Sequence, residues 1–153
     1  MPEKRVSARQ RRMVIERARD CCEYCRSQAQ FAVESFSVEH IIPVIRGGKT
    51  ELDNLALSCQ GCNNHKYTKI EGRDPATGDV APLYHPRRQP WQEHFAWNDD
   101  FTLIIGLTAT GRATVAALQL NRENLVRLRW VLYAMGQHPP AEVDEGERPQ
   151  KWQ

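Results

Sequence analysis

Apolar positions in this chain come in short groups of differing spacing, separated by polar and glycine-bearing stretches. Val14, Ile15 and Ala18 recur at helical spacing among arginines, which predicts a helix capped by Ser7, starting at Ala8 and running to about Asp20. A cysteine turn, CCEYC, follows. The run FAVESFSVEHIIP is rich in β-branched and aromatic residues and is predicted as strand, while IRGGKTELDN has the Gly-Gly pair of a loop. NLALSCQGCNNHKYTKI begins as an apolar segment, passes a second cysteine turn and continues as a helix. Residues 71–90, rich in Gly, Pro, Asp and Arg, read as an irregular connection. WQEHFAWNDD supplies the aromatic anchors Trp91, Phe95 and Trp97, and FTLIIGLT a strand. Thr108 or Thr110 then caps a short helix through Leu118, and Asn121 a longer one stopped by Gly136. In that last helix the leucines give a core face, leaving Arg122, Arg127 and Arg129 on the outer face. The polar, proline-bearing end is expected to fray, and no internal repeat is present. The class is α+β.

Length and composition narrow this further. A chain of 153 residues allows one domain with its own core and a small appended unit. No apolar run is long enough to span a bilayer, and no apolar segment follows the arginine-rich start, so a soluble, cytoplasmic chain is expected. The net charge of +2 hides an uneven spread. Residues 1–19 hold Lys4, Arg5, Arg9, Arg11, Arg12, Arg17 and Arg19 against only Glu3 and Glu16, whereas Glu142, Asp144, Glu145 and Glu147 crowd the end. A basic segment on a mildly acidic body suits a polyanionic partner, and equally suits a solvated helix face.

The five cysteines are Cys21, Cys22, Cys25, Cys59 and Cys62. An odd count without a secretory signal argues against a disulfide framework. Cys22-x-x-Cys25 and Cys59-x-x-Cys62 form two knuckles, each able to bring both thiolates to one ion. Two such pairs close a tetrahedral shell with no open position, the donor set of a structural zinc. Redox-active dithiols are the competing reading, but neither pair opens a helix in a βαβ setting. Cys21 is left as a spare, packed thiol.

Between the knuckles lie Glu39-His40-Ile41-Ile42-Pro43, Gly47-Gly48 and Asp53-Asn54-Leu55, and Cys62-Asn63-Asn64-His65-Lys66 closes the series. In order and spacing, from Cys22 to Lys66, this resembles the HNH endonuclease family, in its small standalone, four-cysteine form. The resemblance implies a ββα-metal (His-Me finger) core over residues 1–70 with a structural zinc held by four cysteines. Residues 71–137 would form a strand and helix extension packed on that core, and 138–153 a flexible tail. It also implies the chemistry: metal-dependent hydrolysis of DNA phosphodiesters, with His40 as the base that takes a proton from water. Glu39 and Asn63 would ligate a catalytic divalent ion, and Asn54 would hold the loop that orients His40. Glu39 stands where the family more often has Asp, and Asn63 where many members have His. That donor set favours Mg²⁺ or Mn²⁺ on ligand-hardness grounds. Lys66 and Arg46 are the implied phosphate contacts, with Arg11 and Arg12 of the basic helix beside them. His65 is a lesser stand-in ligand.

Two other functions fit part of the pattern. A non-catalytic zinc module that binds nucleic acid uses only the cysteines and the basic segment, and a protein-interaction zinc domain leaves Glu39-His40 unexplained. His85 and His94 lie outside the motif and read as structural. The target sequence and the oligomeric state are not written in the chain.

Overall fold

A computed structural model describes residues 5–141. Of the expected flexible tail over 138–153, residues from Glu142 onward lie outside the described residues, as does Lys4, whereas His138 is buried against Trp97 and bonds the Phe101 carbonyl at 2.8 Å. The first helix, α1 (Ala8–Ala18), starts with a capping box. The Ser7 hydroxyl accepts from the Gln10 amide while the Gln10 side chain accepts from the Ser7 amide, at 3.0 Å each. Arg19 ends it in a left-handed conformation at φ 55°.

Two short antiparallel strands, β1 (Ser37–His40) and β2 (Leu55–Ser58), follow, with Glu39 opposite Ala56 and His40 opposite Leu55. The expected long strand over residues 31–43 is therefore only four residues. Residues 29–31 form a 3₁₀ turn and Val33 is fully exposed, because β2 offers just four positions to pair with. The helix α2 (Gln60–Lys66) begins directly after β2, capped by the Cys59 sulfur.

Residues 71–90 are more regular than their composition suggests. β3 (Glu71–Arg73) and β4 (Val80–Pro82) form a hairpin whose turn is built on Asp74. A short helix α3 (Trp91–His94) leads into β5 (Phe95–Trp97), paired with β6 (Ile104–Gly106). Thr108 caps α4 (Ala109–Leu118) by accepting from the Gly111 amide at 3.0 Å. Gly111 sits where an added Cβ would fall 2.1 Å from the His94 carbonyl, so α4 packs directly on the α3–β5 backbone. The last helix, α5 (Glu123–Ala134), is preceded by Arg122 at the cap position. Asn121, expected to cap it, instead exchanges hydrogen bonds with the Ile104 backbone on β6.

One apolar cluster joins both halves of the chain: Val14, Tyr24, Phe36, Leu55 and Leu57 from the first, Trp91, Phe95, Ile104, Leu118 and Leu120 from the second. Trp91 and Phe95 are buried, as aromatic anchors should be, and the Trp91 indole donates to the Tyr24 carbonyl. The outer-face reading of the α5 arginines holds only for Arg127, which pairs with Glu123 on the surface. Arg129 is buried over Trp97, and its guanidinium donates to the Leu120 carbonyl after α4 and the Thr102 carbonyl before β6.

Asp74 is wholly buried and takes a bidentate pair of bonds, 2.9 and 2.8 Å, from Arg112 on α4. The Arg112 guanidinium, seconded by the Ala76 amide and the Thr77 hydroxyl, lowers the Asp74 pKa to about 2. In the unfolded chain the same carboxyl titrates near about 3.9. A depressed folded pKa gives stability that is complete above about pH 4 and drains away as the pH falls toward about 2. Asp74→Asn should therefore lower the melting temperature at about pH 7 and flatten its fall between about pH 4 and 2, checked by thermal denaturation across that window.

Candidate metal centre and nuclease site

The two cysteine turns converge. The sulfurs of Cys22, Cys25, Cys59 and Cys62 all lie within 4.8 Å of one another, and all four residues are buried. Within each turn the fourth amide points back at the first sulfur, Cys25 to Cys22 at 3.5 Å and Cys62 to Cys59 at 3.4 Å. Those spacings suit four thiolates about 2.3 Å from a single ion, and an all-thiolate donor set suits zinc. Cys21 stands apart from the cluster, buried, with its thiol on the Arg19 carbonyl. Hydrogen bonds from the Cys22, Cys25 and Cys62 thiols hold the Cys59 thiol far below its ordinary range, whereas burial pushes Cys22 up.

A guanidinium completes this centre. Arg122 donates to Cys59 Sγ at 3.5 Å and to Cys62 Sγ at 3.7 and 3.8 Å, and it anchors itself on the Leu118 and Gln119 carbonyls. It lies so close over α2 that a Cβ at Gly61 would come within 2.6 Å of it. Four thiolates and one Zn²⁺ carry a net charge of about −2, which a cation at the sulfurs offsets. Nothing in the sequence pattern singles Arg122 out, since it is sixty residues from Cys62 and sits at the start of a helix whose arginines read as an outer face.

The hairpin after the first knuckle splits Glu39 and His40 onto opposite faces, as strand alternation requires. Glu39 turns inward, 8% exposed, where both carboxylate oxygens are engaged. Oε1 accepts a short bond from the Tyr24 hydroxyl, and Oε2 takes the Lys66 ammonium at 3.3 Å. Lys66 is itself 2% exposed and also donates to the Ile41 carbonyl at 2.7 Å. Its ammonium therefore faces Glu39 and away from the surface where a phosphate would lie. Burial raises the Glu39 pKa, with Lys66 and Tyr24 acting against it.

His40 stands at the end of β1, partly exposed, with Nε2 2.8 Å from the Thr50 hydroxyl. Burial, and next the Lys66 charge, lower its pKa, which favours the neutral ring. Thr50 is in turn fixed to α1, because the Gln10 side chain donates to its carbonyl at 3.2 Å. Asn54 clamps the connecting loop: its Oδ1 accepts from the Ile42 amide at 2.8 Å, and its Nδ2 donates to the Ile42 and Lys49 carbonyls. Gly48 is needed there, since a Cβ would fall 1.7 Å from the Ile42 oxygen and 2.8 Å from the Asn54 amide.

The remaining predicted contacts scatter. Asn63 lies on α2 one residue past Cys62, half-buried, and among the described residues its side chain makes no hydrogen bond. Arg46 is exposed on the loop after β1 and donates to the Thr68 carbonyl at 2.5 Å. Arg11 and Arg12 are exposed on α1, with Arg11 reaching the Phe36 carbonyl at 3.1 Å. The unpredicted Arg17 ties α1 to the hairpin through the Leu52 and Leu55 carbonyls, at 3.1 and 2.7 Å. His94 bonds the Thr108 hydroxyl, while His85 accepts from the Arg87 amide and lines a cavity shared with Ile41, Ile42 and Lys66.

Residues 22–69 match the family model HNH endonuclease. That segment, under half of the chain, is similar to this family. The HNH segment opens on the first zinc-knuckle cysteine and takes in the hairpin, α2 and the turn after it, leaving the β3-to-α5 region outside. No curated protein and no solved structure matches the chain. The match points to nucleic acid as substrate, and no helix among the described residues is long and apolar enough to cross a membrane.

Removing the Arg122 charge should loosen the thiolate centre. Arg122→Gln is expected to hand its zinc to a chromogenic chelator at least about tenfold faster than the unmodified protein. Arg127→Gln, on the exposed face of α5, should leave the rate unchanged.

Proposed function

We propose that this protein is an HNH endonuclease that hydrolyses DNA phosphodiester bonds, with His40 as the base that activates the attacking water. The observation that carries the reading is the state of His40: a ring at the end of β1, biased to neutrality, with one nitrogen held by Thr50. When Nε2 keeps its proton and donates to Thr50, the lone pair resides on Nδ1. That atom takes the proton from water as the water oxygen attacks phosphorus. Thr50 is a positioning residue, and Asn54 keeps the loop between them closed. Arg46 is an exposed cation on that loop, available to a phosphate oxygen.

The implied ligands of a catalytic Mg²⁺ or Mn²⁺, Glu39 and Asn63, do not fit that ion as arranged. Both Glu39 oxygens are taken, by Tyr24 and Lys66, in a setting closed to water. A divalent ion needs hydration and a free carboxylate edge, so Lys66 must withdraw before Glu39 can ligate one. The same observation favours a second reading, a zinc-dependent module that binds nucleic acid without cutting it.

A supercoiled-plasmid assay with Mg²⁺ or Mn²⁺ separates the two. The nuclease reading expects nicking that drops about 10² to 10⁴-fold in His40→Ala. It also expects an acid limb below about pH 6.5, because the base works only when deprotonated and burial and Lys66 lower its pKa. Tight DNA binding with no nicking under either ion supports the non-catalytic module.

A further inference from the structure

The turn that closes the HNH segment carries an unexplained strain. After α2, the Lys69 amide donates to the Lys66 carbonyl at 2.9 Å, making Lys66–Lys69 a β-turn. Tyr67 occupies its second position at φ 50°, ψ −120°. That conformation belongs to the first central residue of a type II′ turn, where glycine is the norm and a bulky aromatic is an outlier. The ring is 76% exposed, and among the described residues no other aromatic ring lies on it. Residues held in such sparsely populated backbone regions cluster at active sites and ligand clamps.

The surroundings define the task. Arg46 bonds the Thr68 carbonyl, so the exposed loop that follows His40, with Ile45 82% exposed, is tied to this same turn. Beside the turn opens a cavity of about 290 Å³, whose lining includes Ile42, Lys69, Ile70, Tyr84 and Arg88. An apolar floor with a cationic rim, next to an exposed aromatic face, suits a nucleotide strand: phosphates on Arg46, Lys69 and Arg88, and a base against the ring. We infer that Tyr67 is a base-stacking platform that holds an unpaired nucleobase of a DNA strand beside the His40 hairpin. A fully stacked duplex presents no free base face, so the ligand class is single-stranded or locally unstacked DNA. The inference rests on the nucleic-acid substrate proposed above and assigns its recognition to a residue outside the motif.

The test couples stability to binding in zinc-loaded protein. Tyr67→Gly, Tyr67→Phe and the unmodified chain are compared by thermal melting and by fluorescence anisotropy with a short labelled single-stranded DNA. Tyr67→Gly should melt higher, because the strain is released, yet bind DNA about fivefold or more weakly. Tyr67→Phe should bind as the unmodified chain does. Equal binding by Tyr67→Gly overturns the inference, and so does a lowered melting temperature, which would give the ring a structural role. Plasmid nicking measured alongside separates the two proposals. Nicking with Tyr67-independent binding leaves the nuclease and removes the platform, whereas Tyr67-dependent binding without nicking does the reverse.

Discussion

Four sulfurs from two distant turns have to meet at one point, and most of the architecture follows from that requirement. Cys22 and Cys25 leave α1 through a tight turn, while Cys59 and Cys62 begin α2. Between them, β1 and β2 have only four paired positions each, too short a hairpin to be stable on its own. Binding one ion at both turns fixes the hairpin between the helices and lets a small apolar cluster suffice. Arg122 extends the constraint to the far end of the chain, because the cation that balances the thiolates is also the residue that starts α5.

With the hairpin held, strand alternation determines what its two polar residues can do. Glu39 must face the core, where it is tolerable only because Tyr24 and Lys66 satisfy it, and His40 must face the other way. Lys66 therefore has two possible duties in conflict. As a buried counter-charge it stabilises Glu39; removed, it would free the carboxylate but leave an uncompensated charge inside. The arrangement favours a fold that is complete before any second ion or substrate arrives.

The parts legible in the sequence were those with local rules. The x-x spacing of the cysteines, the Ser7 box and the Thr108 cap all act within a single turn, so their geometry is written in neighbouring letters. The order Glu39, His40, Asn54, Asn63 marked the segment that the family match covers. What escaped was long-range or conformational. β3 and β4 are three residues each and show no usable alternation, and their hairpin is held by Arg112, thirty-eight residues from Asp74. Arginines on a helix default to the outer face, yet Arg129 and Arg122 satisfy carbonyls and sulfurs in the interior. The burial of Lys66 depends on Glu39, a partner on β1, and the positive φ of Tyr67 appears only once the turn after α2 is built.

The central claim is that a metal at the four sulfurs organises the hairpin that carries His40. Amide hydrogen exchange before and after chelation tests it most directly. One zinc per chain is expected, with loss of protection on removing it at the Cys25 and Cys62 amides and along β1 and β2. Protein that binds no zinc, or whose hairpin stays fully protected after the chelator has taken the metal, would contradict it.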